Sequence, residues 1–193
     1  MKYKLIAAFL LMALLISPLT YASNYFEALE AHIQGNYSKS LPIFRSLAER
    51  GDAAAQYDLG ISYARGEGVL QNDVEAVRWY RAAAEQGFTL AQHNLGFMYE
   101  NGRGIPQNYV DALRWYHAAA EQGFGLSQFS LGLMYANGLG VVQNYIQAHK
   151  WANIAASQGT TEAAELRSIL TKRMTPVEIQ EAQKLAQEWV NSR

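Results

Sequence analysis

The sequence predicts an all-α protein, a right-handed α-solenoid built from stacked helix–turn–helix repeats. Four glycines recur at intervals of 36 residues: Gly51, Gly87, Gly123 and Gly159. The first two units between these glycines agree at 20 of 36 positions without a gap. Apolar residues recur twice in each unit with the 3.6-residue period of a helix, and no segment alternates as a strand does. Because one helix pair cannot bury both of its faces, neighbouring pairs are expected to stack and share a core.

Residues 1–22 are predicted to be a secretory signal peptide. A short basic start precedes an unbroken apolar run, twelve residues from Leu5 to Ile16. Thr20 and Ala22 then place small residues at the −3 and −1 positions of a cut after residue 22. A retained membrane anchor is the alternative, but twelve apolar residues fall short of the roughly 20 that cross a bilayer. We therefore expect an exported protein with no membrane span after cleavage, periplasmic or, as a second choice, secreted.

Composition and charge exclude several classes of function. The 16 basic side chains (Lys+Arg) are balanced by 17 acidic ones, so no basic excess exists to neutralise a phosphate backbone. We therefore expect no nucleic-acid partner. Cysteine is absent, which excludes a disulfide scaffold, a thiol nucleophile and a cysteine-ligated zinc site. Half of the residues are hydrophobic and 17% are charged, as in a chain that folds around a core.

Residues 23–50 are predicted to form an N-terminal capping helix pair. The segment from Asn24 to Ile33 is interpreted as a shortened first helix. The segment from Asn36 to Arg50 aligns with the second helix of a repeat unit, 36 residues ahead of Asn72. The solenoid is therefore expected to begin before the first full repeat.

Three repeats follow this pair, at residues 51–86, 87–122 and 123–158. The first helix of the first repeat carries Ala55, Leu59 and Tyr63 at positions i, i+4 and i+8, which lie on one face of a helix. Gly66 and Gly68 are expected to end this helix, because glycine tolerates the left-handed conformation found beyond a helix C-terminus. The same pattern in the other two repeats predicts the same helix three times.

The second helix of each repeat is predicted to begin after an asparagine N-cap. Asn72 stands three residues before Glu75, a spacing that resembles a capping box. The other repeats keep the pattern, as Asn108 with Asp111 and Asn144 with Gln147. The apolar stripe of the first such helix consists of Ala76, Trp79, Tyr80 and Ala83. The tryptophans at 79, 115 and 151 are expected to fill the space between neighbouring units.

Residues 159–193 are predicted to form C-terminal capping helices. The segment from Thr161 to Lys172 is a degenerate first helix. Thr175 is then an N-cap, followed by a proline at the first helical position and by Glu178 in the first turn. This last helix is expected to run to about Val190, which gives ten helices in total.

These repeats resemble the Sel1-like repeat family, relatives of the tetratricopeptide repeats, over roughly residues 36–160. The matching residues of the first repeat are Ala55, Leu59, Gly60, Tyr63, Gly66, Gly68, Val69, Ala76, Trp79, Tyr80, Ala83, Ala84 and Gly87. The third repeat departs from the pattern at Ser127, Ala152 and Ile154, so its packing is expected to be less regular. The resemblance implies a Sel1-like, tetratricopeptide-like solenoid that serves as an adaptor for a protein or peptide partner.

The expected function is a non-catalytic scaffold of the bacterial cell envelope that needs no cofactor and no metal. No catalytic motif is present, and the four histidines fall at unequal phases of the repeat, unlike metal ligands. One alternative is a secreted factor that contacts host cells. Another is an envelope protein that binds or hydrolyses peptidoglycan or β-lactams, as a minority branch of the family is reported to do. That branch is rich in disulfides, whereas this chain has no cysteine.

The partner is expected to bind on the concave face, which the first helices line in solenoids of this kind. At 100° per residue, the positions of Tyr57 and Ile61 and of residue 64 point away from the core stripe of the first helix. The candidate partner-binding residues at these positions are Tyr57, Ile61, His93, Phe97, Glu100, Phe129 and Leu133. Exposed apolar side chains in a row indicate a groove for a peptide or helix. The alternative is that they contact neighbouring second helices or that the C-terminal helix fills the groove.

Overall fold

The computed structural model describes residues 18–193, which form ten α-helices. In chain order these are α1 (Pro18–Ile33), α2 (Tyr37–Glu49), α3 (Ala53–Arg65), α4 (Asp73–Glu85), α5 (Thr89–Asn101), α6 (Tyr109–Glu121), α7 (Gly125–Asn137), α8 (Tyr145–Ser157), α9 (Thr161–Thr171) and α10 (Pro176–Asn191). Within these residues no strand forms, and each helix from α1 to α8 packs against the next along the chain. The predicted all-α solenoid is therefore confirmed.

The first helix begins earlier than expected, at Pro18 rather than at Asn24. A proline is compatible with the first position of a helix, where its missing N–H would have no partner in any case. Residues 1–17 of the predicted signal peptide lie outside the described residues. The helices from residue 18 onward include none that is long and apolar enough to span a bilayer.

A repeated glutamine–asparagine pair closes two helix ends in each repeat. Gly66 adopts the left-handed conformation and ends α3, as predicted, with φ of 72°. Gln71 Nε2 donates to the Ala64 carbonyl of α3 at 3.0 Å, while Asn72 Oδ1 accepts from the amide of Glu75 at 3.2 Å at the start of α4. The equivalent glutamine bonds run from Gln107 to Glu100 O and from Gln143 to Ala136 O. The asparagine caps were predicted, but the glutamines beside them were not.

A second set of glutamines joins each repeat to its neighbour. Gln56, Gln92 and Gln128 occupy one position of the repeat and are buried. Each donates through Nε2 to the last turn of the preceding second helix, at Ala48 O, Ala84 O and Ala120 O. The side-chain oxygens of Gln56 and Gln92 in turn accept from Gln86 and Gln122, at 2.8 and 2.7 Å. These bonds satisfy buried polar groups that would otherwise destabilise the interface between repeats.

The last helix packs against α8 and not across the first helices. Trp189 lies with its ring centroid 5.8 Å from that of Trp151, edge to face. Its Nε1 donates to Glu121 Oε2 at 3.1 Å, and the Arg193 guanidinium also contacts this carboxylate. Thr175 and Glu178 form a complete capping box at the start of the helix. The helix therefore caps the C-terminal end of the solenoid and packs mainly on a second helix.

The first helix α1 is held to the first repeat by two polar contacts. The Tyr25 hydroxyl donates to Asp58 Oδ2 at 2.8 Å, and His32 Nε2 lies 2.9 Å from Glu67 Oε2. Burial raises the pKa of the Asp58 carboxyl to about 6, although the Tyr25 hydroxyl and nearby His32 act in the opposite direction. The N-terminal pair is thus docked through a carboxylate that is costly to ionise.

Replacing Asp58 with asparagine is expected to stabilise the protein at pH 7. Because the folded-state pKa lies above the unfolded value of about 3.9, wild-type stability should fall as the pH rises from about 4 through about 6. The variant should lack this fall and gain about 1–2 kcal/mol at pH 7, with little gain below pH 4. Urea unfolding at several pH values measures the difference. Asn94 occupies the same position in the second repeat, so Asn94→Asp is the reciprocal control; a pH-independent Asp58→Asn gain would contradict the argument.

Candidate partner-binding site

An open pocket of about 260 Å³ lies between α3 and α5, on the surface formed by the first helices α3, α5 and α7, called here the first-helix face. Its apolar lining comes from Tyr57, Ile61, Ala64, Phe97 and Met98. Its polar lining comes from Arg65, Tyr80, Asn94 and Arg103. The pocket therefore has a mixed lining of apolar side chains with basic, amide and phenol groups.

Two aromatic side chains form the wall of the pocket nearest the core. The ring centroid of Tyr57 lies 5.9 Å from that of Tyr80 and 5.2 Å from that of Phe88. Tyr80 can approach α3 closely because Gly60 has no side chain; a Cβ there would lie 2.7 Å from the Tyr80 ring. Burial raises the pKa of Tyr80 to about 12 and also raises the pKa of Tyr57. Both phenols are therefore neutral hydrogen-bonding groups at pH 7.

Phe97 forms the outer wall of the pocket and is 42% exposed. Ile61 occupies the equivalent position in the preceding repeat and faces the same pocket, half-buried. An exposed aromatic ring beside an open concavity is typical of a surface that another molecule covers. These two residues are the part of the pocket that a ligand would contact first.

The charges beside the pocket come from two arginines. Arg103 is held by Asp73 through two bonds, Nε to Oδ2 at 3.1 Å and Nη2 to Oδ1 at 2.9 Å. Arg65 makes a single contact with Glu67 at 3.4 Å and its side chain is 67% exposed. Bidentate pairing fixes the first guanidinium, whereas an exposed single contact leaves the second one easily redirected.

His93 and Glu100 lie in the next step of the solenoid rather than in the pocket. His93 Nδ1 is 2.9 Å from Ser127 Oγ, and its ring packs against Tyr116 and Phe124. Burial lowers the pKa of His93 to about 4, so the ring is neutral at pH 7. The Glu100 carboxylate accepts a hydrogen bond from the Tyr116 hydroxyl at 2.6 Å.

Phe129 and Leu133 pack against a hydrophobic cluster at the C-terminal end of the solenoid. Its buried members include Leu166 and Leu170 of α9 and Met174. Of the seven predicted residues, the structure therefore brings Tyr57, Ile61 and Phe97 into one pocket. The other four, His93, Glu100, Phe129 and Leu133, lie outside the pocket, and their side chains contact neighbouring helices. A role in binding stays a prediction for all seven.

Arg65, Asn94 and Arg103 belong to the pocket but were missed by the sequence argument. Arg65 is replaced by Asn101 and Asn137 at the same position of the other repeats. A search for features that all repeats share discards such a residue. Arg65 could have been found by searching instead for a charged residue that occurs in one repeat only.

Comparison with known proteins identifies the repeat. The model of the Sel1 repeat matches residues 53–88, 89–124 and 125–160, each segment two residues after the start of the unit drawn from the spacer glycines. No curated protein matches the chain.

Several solved structures are similar. One is a protective antigen of uropathogenic Escherichia coli strains that displays an SLR fold, with 32% identity over 89% of this chain and a TM-score of 0.80. A second is a Sel1 repeat protein from Oxalobacter formigenes, with 36% identity over 72% of this chain and a TM-score of 0.69. Helicobacter pylori cysteine rich protein B shares the fold, at 23% identity over 68% of this chain, with a TM-score of 0.54.

The match covers only part of the two structures with higher identity. This chain spans 38% of the Escherichia coli antigen and 57% of the Oxalobacter protein, and 94% of the Helicobacter protein. Three matched repeats fill more than half of the sequence, and two solved structures exceed 30% identity. The chain therefore belongs to the Sel1 repeat family.

Proposed function

We propose that the protein is a non-catalytic scaffold of the bacterial cell envelope that binds a partner protein or peptide on its first-helix face. Proteins of the Sel1 repeat family are generally protein-interaction scaffolds and typically non-catalytic. The observation that carries the proposal for this chain is the open pocket between α3 and α5, which combines apolar side chains with arginine, amide and phenol groups. Its walls come from two repeats, so a stacked solenoid is needed to form it.

Export to the envelope rests on the predicted signal peptide at residues 1–22. Cell fractionation of the full chain, followed by mass determination of its N-terminus, tests this part of the proposal. We expect a periplasmic protein that starts at Ser23. A cytoplasmic protein that keeps its first residues would contradict it.

Replacing Phe97 with serine is expected to abolish binding of the partner while leaving the fold intact. Phe97 is 42% exposed and lines the pocket, so its loss removes contact area without opening the core. A comparable exposed side chain outside the pocket is Val110, at 63%, and Val110→Ser is the matched control. Affinity capture from envelope extract should retain a partner on the parent and on the control, but not on Phe97→Ser. Circular dichroism verifies that both variants are folded, and equal capture by all three would place the site elsewhere.

A secreted factor that contacts host cells is the second candidate function. The observation that favours it is the 32% identity to a protein described as a protective antigen present in uropathogenic strains. Cell fractionation distinguishes the two functions. A secreted factor is recovered from the culture medium, whereas an envelope scaffold is recovered from the periplasm.

An enzyme of peptidoglycan or β-lactam chemistry is the third candidate. The likeness to the cysteine rich protein of Helicobacter pylori extends to the fold alone, and this chain has no cysteine. Nitrocefin turnover by the purified protein measures β-lactam hydrolysis directly. We expect no turnover above that of the buffer, and measurable turnover would overturn the non-catalytic part of the proposal.

A further inference from the structure

We propose that His149 makes the docking of the C-terminal cap, the helix pair α9 and α10, sensitive to acid. When its imidazole ring takes up a proton, the cap separates from α8 while the rest of the solenoid stays folded. The inference goes beyond the proposed function, because it concerns the cap and not the pocket between α3 and α5.

His149 is a buried ring at a position where the other repeats have aliphatic side chains. It lies on α8 and is 2% exposed. Val77 and Leu113 stand at the same position of the first and second repeats. A buried aliphatic side chain needs no polar partner, whereas imidazole has two nitrogen atoms that each need one. Only the repeat next to the cap therefore has a titratable group at this position.

One of the two ring nitrogens has a partner, and that partner belongs to the cap. His149 Nε2 lies 3.3 Å from Thr171 Oγ1, at the end of α9. Because the Thr171 hydroxyl donates to the Arg167 carbonyl at 2.8 Å, it accepts from Nε2, and the neutral ring carries its hydrogen on that nitrogen. Nδ1 is buried and has no hydrogen-bond partner among residues 18–193. A proton added to Nδ1 therefore meets no acceptor while the cap is docked.

The charges around the ring also oppose its protonation. Within the described part of the chain, the one charged side chain whose field acts on His149 is Arg167 of α9, which is positive. The neighbouring helix α7 has no charged residue, and no carboxylate of α6 or α10 acts on the ring. Burial, and after it Arg167, lower the pKa of His149 below the ordinary value of 6.5. The docked cap therefore holds the ring in its neutral form.

Acid consequently favours the undocked cap. Once α9 has left, the ring is in water and regains an ordinary pKa, so below about pH 6.5 the undocked state binds a proton that the docked state does not. Docking is strongest above this pH and weakens as the pH falls towards the lower pKa of the docked state. Since α9 packs on α7 and α8, and α10 on α8, the cap can leave without unfolding the earlier repeats.

Hydrogen exchange measured by mass spectrometry at pH 7 and pH 5 tests the inference on the exported protein. Rates are corrected for the intrinsic pH dependence of amide exchange, so that they report the opening of each helix. We expect the protection factors of α9 and α10 to fall roughly tenfold at pH 5. Those of α3 and α4, which contain no histidine, should not fall.

Two variants show whether His149 is responsible. His149→Leu introduces the residue of the second repeat and should abolish the fall in α9 and α10. His32→Gln, which removes a histidine of α1 at the other end of the solenoid, should leave the fall unchanged. Circular dichroism verifies the folding of each variant, and His149→Val, the residue of the first repeat, replaces the leucine variant if that one is unfolded.

Three results would overturn the inference. The first is equal protection of α9 and α10 at the two pH values, and the second is a fall that persists in His149→Leu. The third is an equal fall in α3 and α4, because acid would then unfold the whole solenoid and not release its cap. None of these results bears on the capture of a partner through Phe97, so the proposed function is tested separately.

Discussion

Replacing Gly104 with alanine is expected to lower the free energy of unfolding by about 3 kcal/mol or more. Gly104 lies in the loop after α5 and approaches the start of α4 in the preceding repeat. A Cβ at this position would lie 2.2 Å from the Asp73 carbonyl oxygen and 2.3 Å from its carbonyl carbon. Because these are backbone atoms, the two repeats must separate to accommodate the methyl group. Urea unfolding followed by circular dichroism measures the loss.

The control for this substitution is Gly102→Ala, two residues earlier in the same loop. Both glycines have φ of +67°, so alanine is strained by the left-handed backbone at either position. Around Gly102 the nearest atom to an added Cβ is Gln107 Cβ, at 3.3 Å. We expect a loss of about 1–2 kcal/mol there, chiefly from backbone strain, because the contact at 3.3 Å requires a shift of only a few tenths of an ångström. Equal losses in the two variants would contradict the close approach between repeats.

Replacing Trp151 with alanine is expected to cost about 3–5 kcal/mol, the range for a large aromatic side chain removed from a core. Trp151 is 1% exposed and is enclosed by His117 and Trp189, with ring centroids 5.5 and 5.8 Å away. The substitution therefore opens a cavity and removes the surface on which α10 is docked. The midpoint of urea unfolding reports the loss.

Trp115 provides the matched control, because it occupies the same position in the second repeat. It is only half-buried, and α10 does not cover it. Trp115→Ala is expected to cost clearly less than Trp151→Ala. A loss from Trp115→Ala that equals or exceeds the loss from Trp151→Ala would contradict the added stability assigned to the packing of α10 on Trp151.

The fold could be predicted because its signals are local and repeated. Asn72 and Gly66 determine where helices begin and end through their own backbone and side-chain chemistry, and each is repeated 36 residues later. The 3.6-residue period predicted part of the core, whereas it did not predict the buried glutamines Gln56, Gln92 and Gln128. Leu59 and Ala55, both predicted to face the core, are completely buried.

The candidate site could be predicted only in part, because a helical wheel treats each helix in isolation. Tyr57 and His93 point away from their own core stripe, yet aromatic residues of the following repeat, Phe88 and Phe124, cover them. How far one repeat overlaps the next depends on packing between units and not on the phase within one helix. Arg65 was missed for a different reason, since it breaks the repeat pattern.

Photo-cross-linking tests the central claim, that the pocket between α3 and α5 is where the partner binds. Two variants carry p-benzoylphenylalanine in place of Phe97 or of Val110, which lies outside the pocket. Each is expressed in its host and irradiated in the living cell. The account predicts a cross-linked partner from position 97 and none from position 110. Cross-linking of the same partner from position 110, or none from position 97, would contradict it.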